Sequence, residues 1–178
     1  MERNVDMTEI SDGKRYTSND LAKLGCGDCA GCSKCCHGMG ESITLDPYDI
    51  YNLTINLKMT FNELLAESLG LSVKDMIILP HLNLKAEGEG CLFLDENGRC
   101  SIHSFRPGIC RLFPLGRIYE NESFSYFLQI NECVKQNRTK VKIKKWLGIP
   151  NLAAYENYIN TWHYFLKNMK AFLEEQDN

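Results

Sequence analysis

The chain is organised around Cys29-Ala30-Gly31-Cys32-Ser33-Lys34-Cys35-Cys36, which places four thiols within eight residues. A single buried cysteine packs as a small hydrophobic side chain, but four at this spacing bring their sulfur atoms together. Two thiolates separated by two residues turn back on one ion in zinc sites and in iron–sulfur loops. The spacing therefore predicts a metal site. Because Cys26 lies just before this stretch and adds one more candidate thiol, the motif alone leaves the ligand set open.

Length and charge limit the class of protein. A chain of 178 residues fits a single domain with its own core. The net charge of -3 is too small to indicate a nucleic-acid partner. No window approaches the run of about 18 apolar residues that spans a bilayer, and the N-terminus has no apolar signal-peptide core. We therefore expect a cytoplasmic protein without a membrane partner.

The nine cysteines are interpreted in that compartment. In a reducing cytoplasm, thiols serve as metal ligands or redox groups more often than as disulfides, and an odd number leaves one thiol unpaired. Metal or cluster ligation is therefore favoured over disulfide bonds. His37 adjoins Cys36 and is a candidate ligand, although a histidine beside so many thiols more often supports a site than binds the metal.

Helix signals occur at both ends of the chain and in its middle. Residues 1–16 are polar and aperiodic and predict a flexible arm, followed by one metal-binding domain at 17–178. Thr17–Asp20 resemble a helix cap and predict a helical turn that Gly25 ends. A long helix at 151–175 is predicted from apolar residues at helical spacing.

Two capped helices are predicted between these ends. Asp46 and Pro47 supply the N-cap and first residue of a helix that runs to about Leu57. Thr60 and Glu63 have capping-box spacing and begin a second helix that closes at Gly70.

Strand signals are short. Met76–Leu79 predicts a buried strand that Pro80 stops. Leu115–Glu120 and Phe124–Ile130 predict a hairpin that leads to Cys133. Together with the helices, these strands indicate a small single α+β domain, in which cysteine-rich loops and short hairpins over 26–133 are covered by helices.

A second hairpin is predicted between Cys91 and His103, because Asn97-Gly98 separates two apolar stretches. With these two residues as the loop, Asp95 lies opposite Cys100. Cys91 and Cys100 then share a face but stand about 13 Å apart, at about 3.3 Å per residue. One tetrahedral ion cannot bind both thiols in that register. Either the hairpin is bulged or the two cysteines serve different sites, and we favour different sites.

Two groups of basic residues have alternative interpretations. Arg106 and Arg111 flank Cys110 in a compact segment with proline at each end. They could compensate the charge of a thiolate site or form ordinary surface ion pairs. The basic stretch from Arg138 to Lys145 is interpreted as a solvated face, with an anionic partner as the alternative.

Four groups of residues occur in a distinctive order, namely Cys29-x2-Cys32-x2-Cys35-Cys36, Ile43-Thr44-Leu45-x4-Ile50, Cys91-x-Phe93-Leu94-x5-Cys100 and Arg106-Pro107-x2-Cys110-Arg111-x-Phe113-Pro114. This order resembles the bacterial and archaeal cysteine-cluster family called YkgJ-type, which is described as zinc- or iron-chelating. The resemblance covers about residues 26 to 133. It implies eight metal ligands, namely Cys29, Cys32, Cys35, Cys36, Cys91, Cys100, Cys110 and Cys133.

The first functional hypothesis is a metal-binding protein with one or two iron–sulfur or zinc sites. Eight ligands divide into two four-thiolate sites. Tetrathiolate geometry suits both metals. We favour an iron–sulfur cluster of the 4Fe-4S type, because densely clustered thiols with a remote fourth ligand are typical of clusters.

Two alternatives stay open. Flagellin lysine N-methylases are similar in carrying this kind of cysteine cluster, which suggests a protein-modifying enzyme. However, the chain has no Gly-x-Gly-x-x-Gly loop, and Met39 stands where a radical-enzyme Cys-x3-Cys-x2-Cys run needs its last cysteine. No catalytic residue is assigned. The other alternative is a thiol redox or metal-trafficking protein that uses Cys26, the surplus thiol.

Overall fold

The computed structural model describes residues 6–27, 32–85 and 90–176. The chain divides into two compact units, one made of Met1–Cys26 with Leu112–Asn178 and the other of Gly27–Arg111. Helices and two-stranded antiparallel sheets make up the regular structure of the described ranges. The predicted α+β class is therefore confirmed. In chain order, the elements are α1 Met7–Ile10, β1 Leu21–Gly25, α2 Pro47–Leu57, α3 Phe61–Glu67, β2 Leu69–Lys74, β3 Ile77–Leu82, α4 Gly108–Leu112, β4 Leu115–Glu120, β5 Ser123–Leu128, β6 Thr139–Lys142, α5 Ile143–Leu147 and α6 Leu152–Gln176.

Both predicted caps begin helices in the unit Gly27–Arg111. The Asp46 carboxylate accepts from Asp49 N at 2.9 Å, and the Asp49 carboxylate accepts from Asp46 N at 3.3 Å. This reciprocal box satisfies backbone groups that the helix start leaves unpaired. Thr60 and Glu63 form the same kind of box at α3. The predicted closure of α3 at Gly70 is wrong, because the helix ends at Glu67 and β2 begins at Leu69.

β2 and β3 pair in antiparallel register from Leu69 opposite Leu82 to Lys74 opposite Ile77. The prediction of a buried strand that stops at Pro80 is wrong, since β3 continues through Pro80 and Ile78 is 65% exposed. A strand accepts proline where no N–H is required. Here the Pro80 carbonyl accepts from Leu45 N at 2.9 Å, which ties the preceding segment to β3.

The core of this unit lies between α2, α3 and the β2–β3 hairpin. Its buried residues are Ile43, Leu45, Leu53, Leu64, Leu69, Leu82 and Ile102. Cys91, Cys100 and Cys110 are half-buried and pack against it. Burial of apolar surface therefore places three thiols along the rim of one core.

In the other unit, β1 pairs with β6, and the helical turn predicted near residues 17–25 is wrong. Asp20 Oδ2 accepts from Thr17 N at 2.7 Å and Thr17 Oγ1 at 2.8 Å, which closes a turn without starting a helix. Ala22 and Leu24 are buried, whereas Leu21 and Lys23 are exposed. This alternation is the period of a strand.

Two further predictions for this unit, the hairpin that begins at Leu115 and the long C-terminal helix, are confirmed. β4 and β5 form a hairpin through Asn121 and Glu122, whose φ angles are both positive at 50° and 58°. Such angles suit a two-residue hairpin loop. The long C-terminal helix is α6, which buries Tyr155 and Ile159.

Residues 6–16 contact the hairpin strand β5 and the segment after it. Ser11 forms an isolated bridge with Gln129, and Tyr16 and Tyr126 exchange two backbone hydrogen bonds of 2.9 Å. The flexibility of residues 1–16 stays a prediction. Among the helices of the described ranges, none is long and apolar enough to cross a bilayer.

Candidate metal centre

The unit Gly27–Arg111 contains six of the cysteines that the structure describes, all as free thiols: Cys32, Cys35, Cys36, Cys91, Cys100 and Cys110. Cys29, a predicted ligand, lies outside the described residues. Cys133 belongs to the other unit, as does the surplus Cys26. Six described thiols therefore belong to one unit.

A short turn positions the first thiols. Lys34–Cys36 form a single 3₁₀ turn, in which Cys36 N donates to Ser33 O at 2.8 Å. Cys35 is exposed and Cys36 is half-buried. Cys91 N then donates to Cys36 O at 2.8 Å. This bond joins the cysteine-rich run to the segment that carries Cys91 and Cys100.

The turn between Cys91 and Cys100 differs from the predicted two-residue loop. Asp95 Oδ1 accepts from Asn97 N at 2.9 Å and from Arg99 N at 2.8 Å. Leu94, and not Asp95, pairs with Cys100. The loop is thus one residue longer on its first side, and the predicted register is wrong. No strand lies between Cys91 and His103, a range that the structure describes in full and that carries only isolated bridges, so the predicted hairpin is wrong as well. That Cys91 and Cys100 serve different sites stays a prediction.

Cys110 lies on α4, whose start is tied to α2 by one buried carboxylate. Asp49 Oδ1 accepts from Gly108 N at 2.8 Å, and the Asp49 residue is 5% exposed. The same side chain completes the capping box of α2. Asp49 therefore fixes α4, and with it Cys110, against the core.

The two arginines that flank Cys110 act differently. Arg111 donates to the backbone carbonyls of Arg106 and Ser104. The charge of Arg106 stabilises the thiolates of Cys35, Cys100 and Cys110 and works to lower their pKa values. That Arg106 compensates the charge of a thiolate site stays a prediction, whereas Arg111 braces the backbone of the turn.

The thiols of Cys35 and Cys36 share a hydrogen bond. Because the Cys36 thiol donates, it stabilises the Cys35 thiolate and lowers the pKa of Cys35 to about 6, an effect that Arg106 and His37 reinforce. The same bond, together with burial, raises the pKa of Cys36. One thiolate next to one thiol is the arrangement that this pair favours.

Burial raises the pKa of Cys91, Cys100 and Cys110. Negative charge on Asp49, and then on Cys91 and Cys100, raises the pKa of Cys110 further, and charge on Cys35, Cys110 and Cys91 does the same for Cys36. Charges affect one another in this way only when they are close. The structure therefore gathers thiols from distant segments into one electrostatically coupled group.

The gathered thiols are not arranged as a finished coordination shell. Within residues 6–27, 32–85 and 90–176, no three cysteine, histidine, aspartate or glutamate side chains are placed to hold one ion. The chemistry of the donors nevertheless fits a soft metal, because thiolates are the ligands that zinc and iron–sulfur clusters take. A cation that replaces the thiol protons would also remove the mutual repulsion of the thiolates.

Comparison with known families agrees with this donor set. A family model described as "CxxCxxCC: Putative zinc- or iron-chelating domain" matches residues 28–145. The chain belongs to this family. The matched range includes all eight predicted ligands and excludes Cys26. No solved structure matches the chain.

Membership of the CxxCxxCC family confirms the resemblance that the ordered cysteine motifs indicated, and it supports binding of zinc or iron. Two residues of the CxxCxxCC site were not anticipated. From the sequence, Asp49 was recognisable only as part of the cap of α2. Asp95 was missed because Asn97-Gly98 predicted a two-residue loop, which placed Asp95 opposite Cys100. The Asp-Pro-x-Asp pattern at Asp46–Asp49 and the Asp-x-x-Gly pattern at Asp95 could have drawn attention to these carboxylates, but not to the long-range partner of Asp49.

Proposed function

We propose that the unit Gly27–Arg111 binds one metal centre through Cys36, Cys91, Cys100 and Cys110. One observation carries this proposal: Cys91, Cys100 and Cys110 pack against one core, and Cys91 N donates to Cys36 O at 2.8 Å, so thiols from separate segments meet in one region. Four thiolates complete the coordination of one zinc ion or of one 4Fe-4S cluster. We call these four residues the quartet.

The other four predicted ligands, Cys29, Cys32, Cys35 and Cys133, are not members of the quartet. Cys35 is hydrogen-bonded to Cys36 and electrostatically coupled to Cys100, so it is the first substitute for a member of the quartet. Cys29 and Cys32 precede it at ligand spacing. Cys133 stays a predicted ligand in the other unit.

For the metal itself, we propose a 4Fe-4S cluster ahead of zinc. The run Cys29-x2-Cys32-x2-Cys35-Cys36, which supplies Cys36, has the dense thiol spacing that is typical of iron–sulfur loops. Either centre carries a net charge of about -2 with four thiolates, and Arg106 offsets part of it.

A cysteine-to-serine series tests the ligand assignment. The variants Cys91→Ser and Cys110→Ser are purified without oxygen beside a matched control, Cys26→Ser, and bound metal is measured per chain. We expect each quartet variant to lose most of its metal and the control to keep the wild-type amount. Full metal occupancy in either quartet variant would contradict the assignment.

A further inference from the structure

We propose that a pocket in the unit of Met1–Cys26 and Leu112–Asn178 binds a phosphate-bearing small molecule through Lys23, Lys135 and Arg138. The pocket has a volume of about 490 Å³ and is lined by Lys23 of β1 and by residues 131 and 133–138, which connect β5 to β6. Small-molecule sites have volumes of roughly 300–1,000 Å³. The pocket is therefore large enough for a phosphate group and part of the molecule that carries it.

The charge of the lining is the first argument. Lys23, Lys135 and Arg138 contribute three positive charges, and the lining residues include no carboxylate. In the part of the chain that the structure describes, none of the three forms an ion pair with an acidic side chain. The amide side chains of Asn131, Gln136 and Asn137 supply further donors. A lining of cations and amides favours an anionic ligand.

Arg138 gives the second argument. Its Nη1 atom is buried, and it has no hydrogen-bond partner among the described residues. A buried cationic N–H group without an acceptor is costly, and such groups in native proteins are generally satisfied. Arg138 lines the pocket, and a small shift of its side chain would turn this N–H toward an oxyanion bound there, which would supply the missing acceptor.

The register of β1 and β6 gives the third argument. Lys23 lies directly opposite Lys140, and both side chains are exposed. Like charges directly opposite each other destabilise an antiparallel pair. A bound anion next to Lys23 would offset this repulsion.

The same strand pair fixes the position of Arg138. Gly25 lies opposite Thr139, and a Cβ at Gly25 would overlap Thr139 Oγ1, so the two backbones approach closely at this point. Arg138 directly precedes Thr139. The guanidinium is therefore carried on a segment that is anchored at its C-terminal end.

The combination of groups selects the ligand class. A guanidinium presents a planar fork of donors that matches phosphate oxygens, and ammonium groups add charge without a fixed geometry. The basic stretch from Arg138 to Lys145 is therefore more than a solvated face, because its first residue, Arg138, binds the anion. Cys133 also lines the pocket, but binding of the anion through the three cations does not require its thiol.

Titration calorimetry on the full chain at low salt tests this proposal, with inorganic phosphate and pyrophosphate as the probes. We expect pyrophosphate to bind more tightly than phosphate, because it offers more oxygens to the three cations. Arg138→Gln and Lys135→Gln should each weaken pyrophosphate binding roughly tenfold or more, through loss of a charge-assisted hydrogen bond. Arg138→Lys should also weaken it, because lysine lacks the fork.

One further variant serves as the control. Lys145→Gln removes the same charge from an exposed position on α5 outside the pocket and should leave the affinity nearly unchanged. The proposal is overturned if millimolar pyrophosphate produces no binding heat, or if Lys145→Gln weakens binding as much as Arg138→Gln. Should Arg138→Gln fail to fold, Lys135→Gln carries the comparison.

Discussion

The backbone N–H of Cys91 donates a 2.8 Å hydrogen bond to the carbonyl oxygen of Cys36. This bond connects the cysteine-rich run to a segment far along the chain, and the Asp49 carboxylate ties α4, which carries Cys110, to α2 through Gly108 N. The proposed quartet thus depends on two long-range hydrogen bonds, one between backbone groups and one to a buried carboxylate.

Replacing Asp49 by alanine should destabilise the protein by about 1–3 kcal/mol, because the buried N–H of Gly108 loses its acceptor. Asp49→Asn keeps an oxygen at this position and should cost less. Urea unfolding monitored by circular dichroism measures both variants, with exposed Glu63→Gln in the α3 cap as control. Equal stability of Asp49→Ala and the wild type would contradict the role assigned to this carboxylate.

The same alanine variant should retain less metal than Asp49→Asn, since a displaced α4 moves Cys110 away from the other thiols. Metal analysis of both variants after gel filtration checks this result. Similar metal retention in the two variants would show that Asp49 supports the fold without positioning the ligand.

In metal-free protein, Cys35 should be the first thiol alkylated by iodoacetamide. The Cys36 thiol lowers the pKa of Cys35 to about 6, so Cys35 is already a thiolate at neutral pH and loses that form only below it. Burial raises the pKa of Cys91, Cys100 and Cys110, which delays their reaction. A short pulse of reagent followed by peptide mass spectrometry gives the order of modification.

The control for this experiment is Cys36→Ala, which removes the donating thiol and should shift the pH profile of Cys35 alkylation toward that of an ordinary thiol, with a pKa of about 8.5. Modification of Cys110 before Cys35 would contradict the assigned ionisation states.

Removal of metal should loosen residues 32–111 much more than the β4–β5 hairpin or α6. Structural zinc contributes roughly 10–16 kcal/mol in finger peptides, whereas a whole domain is stable by only about 5–15 kcal/mol. Three of the quartet thiols pack on the core of the unit Gly27–Arg111, and the hairpin and α6 belong to the other unit. Hydrogen exchange with mass spectrometry measures each region, and equal loss of protection in both units would oppose this prediction.

Gly25→Ala should destabilise the β1–β6 pair by about 1–3 kcal/mol, the usual cost of overpacking. The added methyl group would overlap Thr139 Oγ1 and approach Val141 Cγ2 at 2.9 Å. The double variant Gly25→Ala with Thr139→Ala should recover part of the loss. Thermal unfolding measures all three proteins, and a neutral effect of the single substitution would show that the strands can separate without cost.

Local signals accounted for much of the fold. The caps at Asp46 and Thr60 and the β4–β5 hairpin were recognisable because each depends on neighbours within a few residues, although Ser123, predicted in the hairpin loop, begins β5. Thr17 and Asp20 led to the wrong prediction of a capped helical turn, because a side-chain turn and a helix cap use the same residue types. The burial of Ala22 and Leu24 follows the period of a strand, but this alternation covers too few residues to outweigh a cap signal, and a helical turn was predicted instead.

The cysteines of the candidate site could be predicted from the sequence, but the long-range contacts that bring them together could not. Spacing identified the thiols, and family membership supports metal binding. The hydrogen bond between Cys36 and Cys91, and that between Asp49 and Gly108, join residues far apart in sequence and follow only from the packed core. The register of the Asp95 turn was equally hidden, since one aspartate that accepts two backbone N–H groups shifted the pairing by one residue.

The most direct test of the metal-centre proposal is elemental analysis of iron, sulfide and zinc, with an absorption spectrum, on wild-type protein purified without oxygen or chelator. We predict a broad band near the blue edge of the visible range, with iron and sulfide in equal amounts at about four each per chain, as a 4Fe-4S cluster requires. Stoichiometric zinc in a colourless protein would keep the thiolate site and replace the cluster. Protein that contains neither metal in stoichiometric amount would contradict the proposal that the quartet binds a metal.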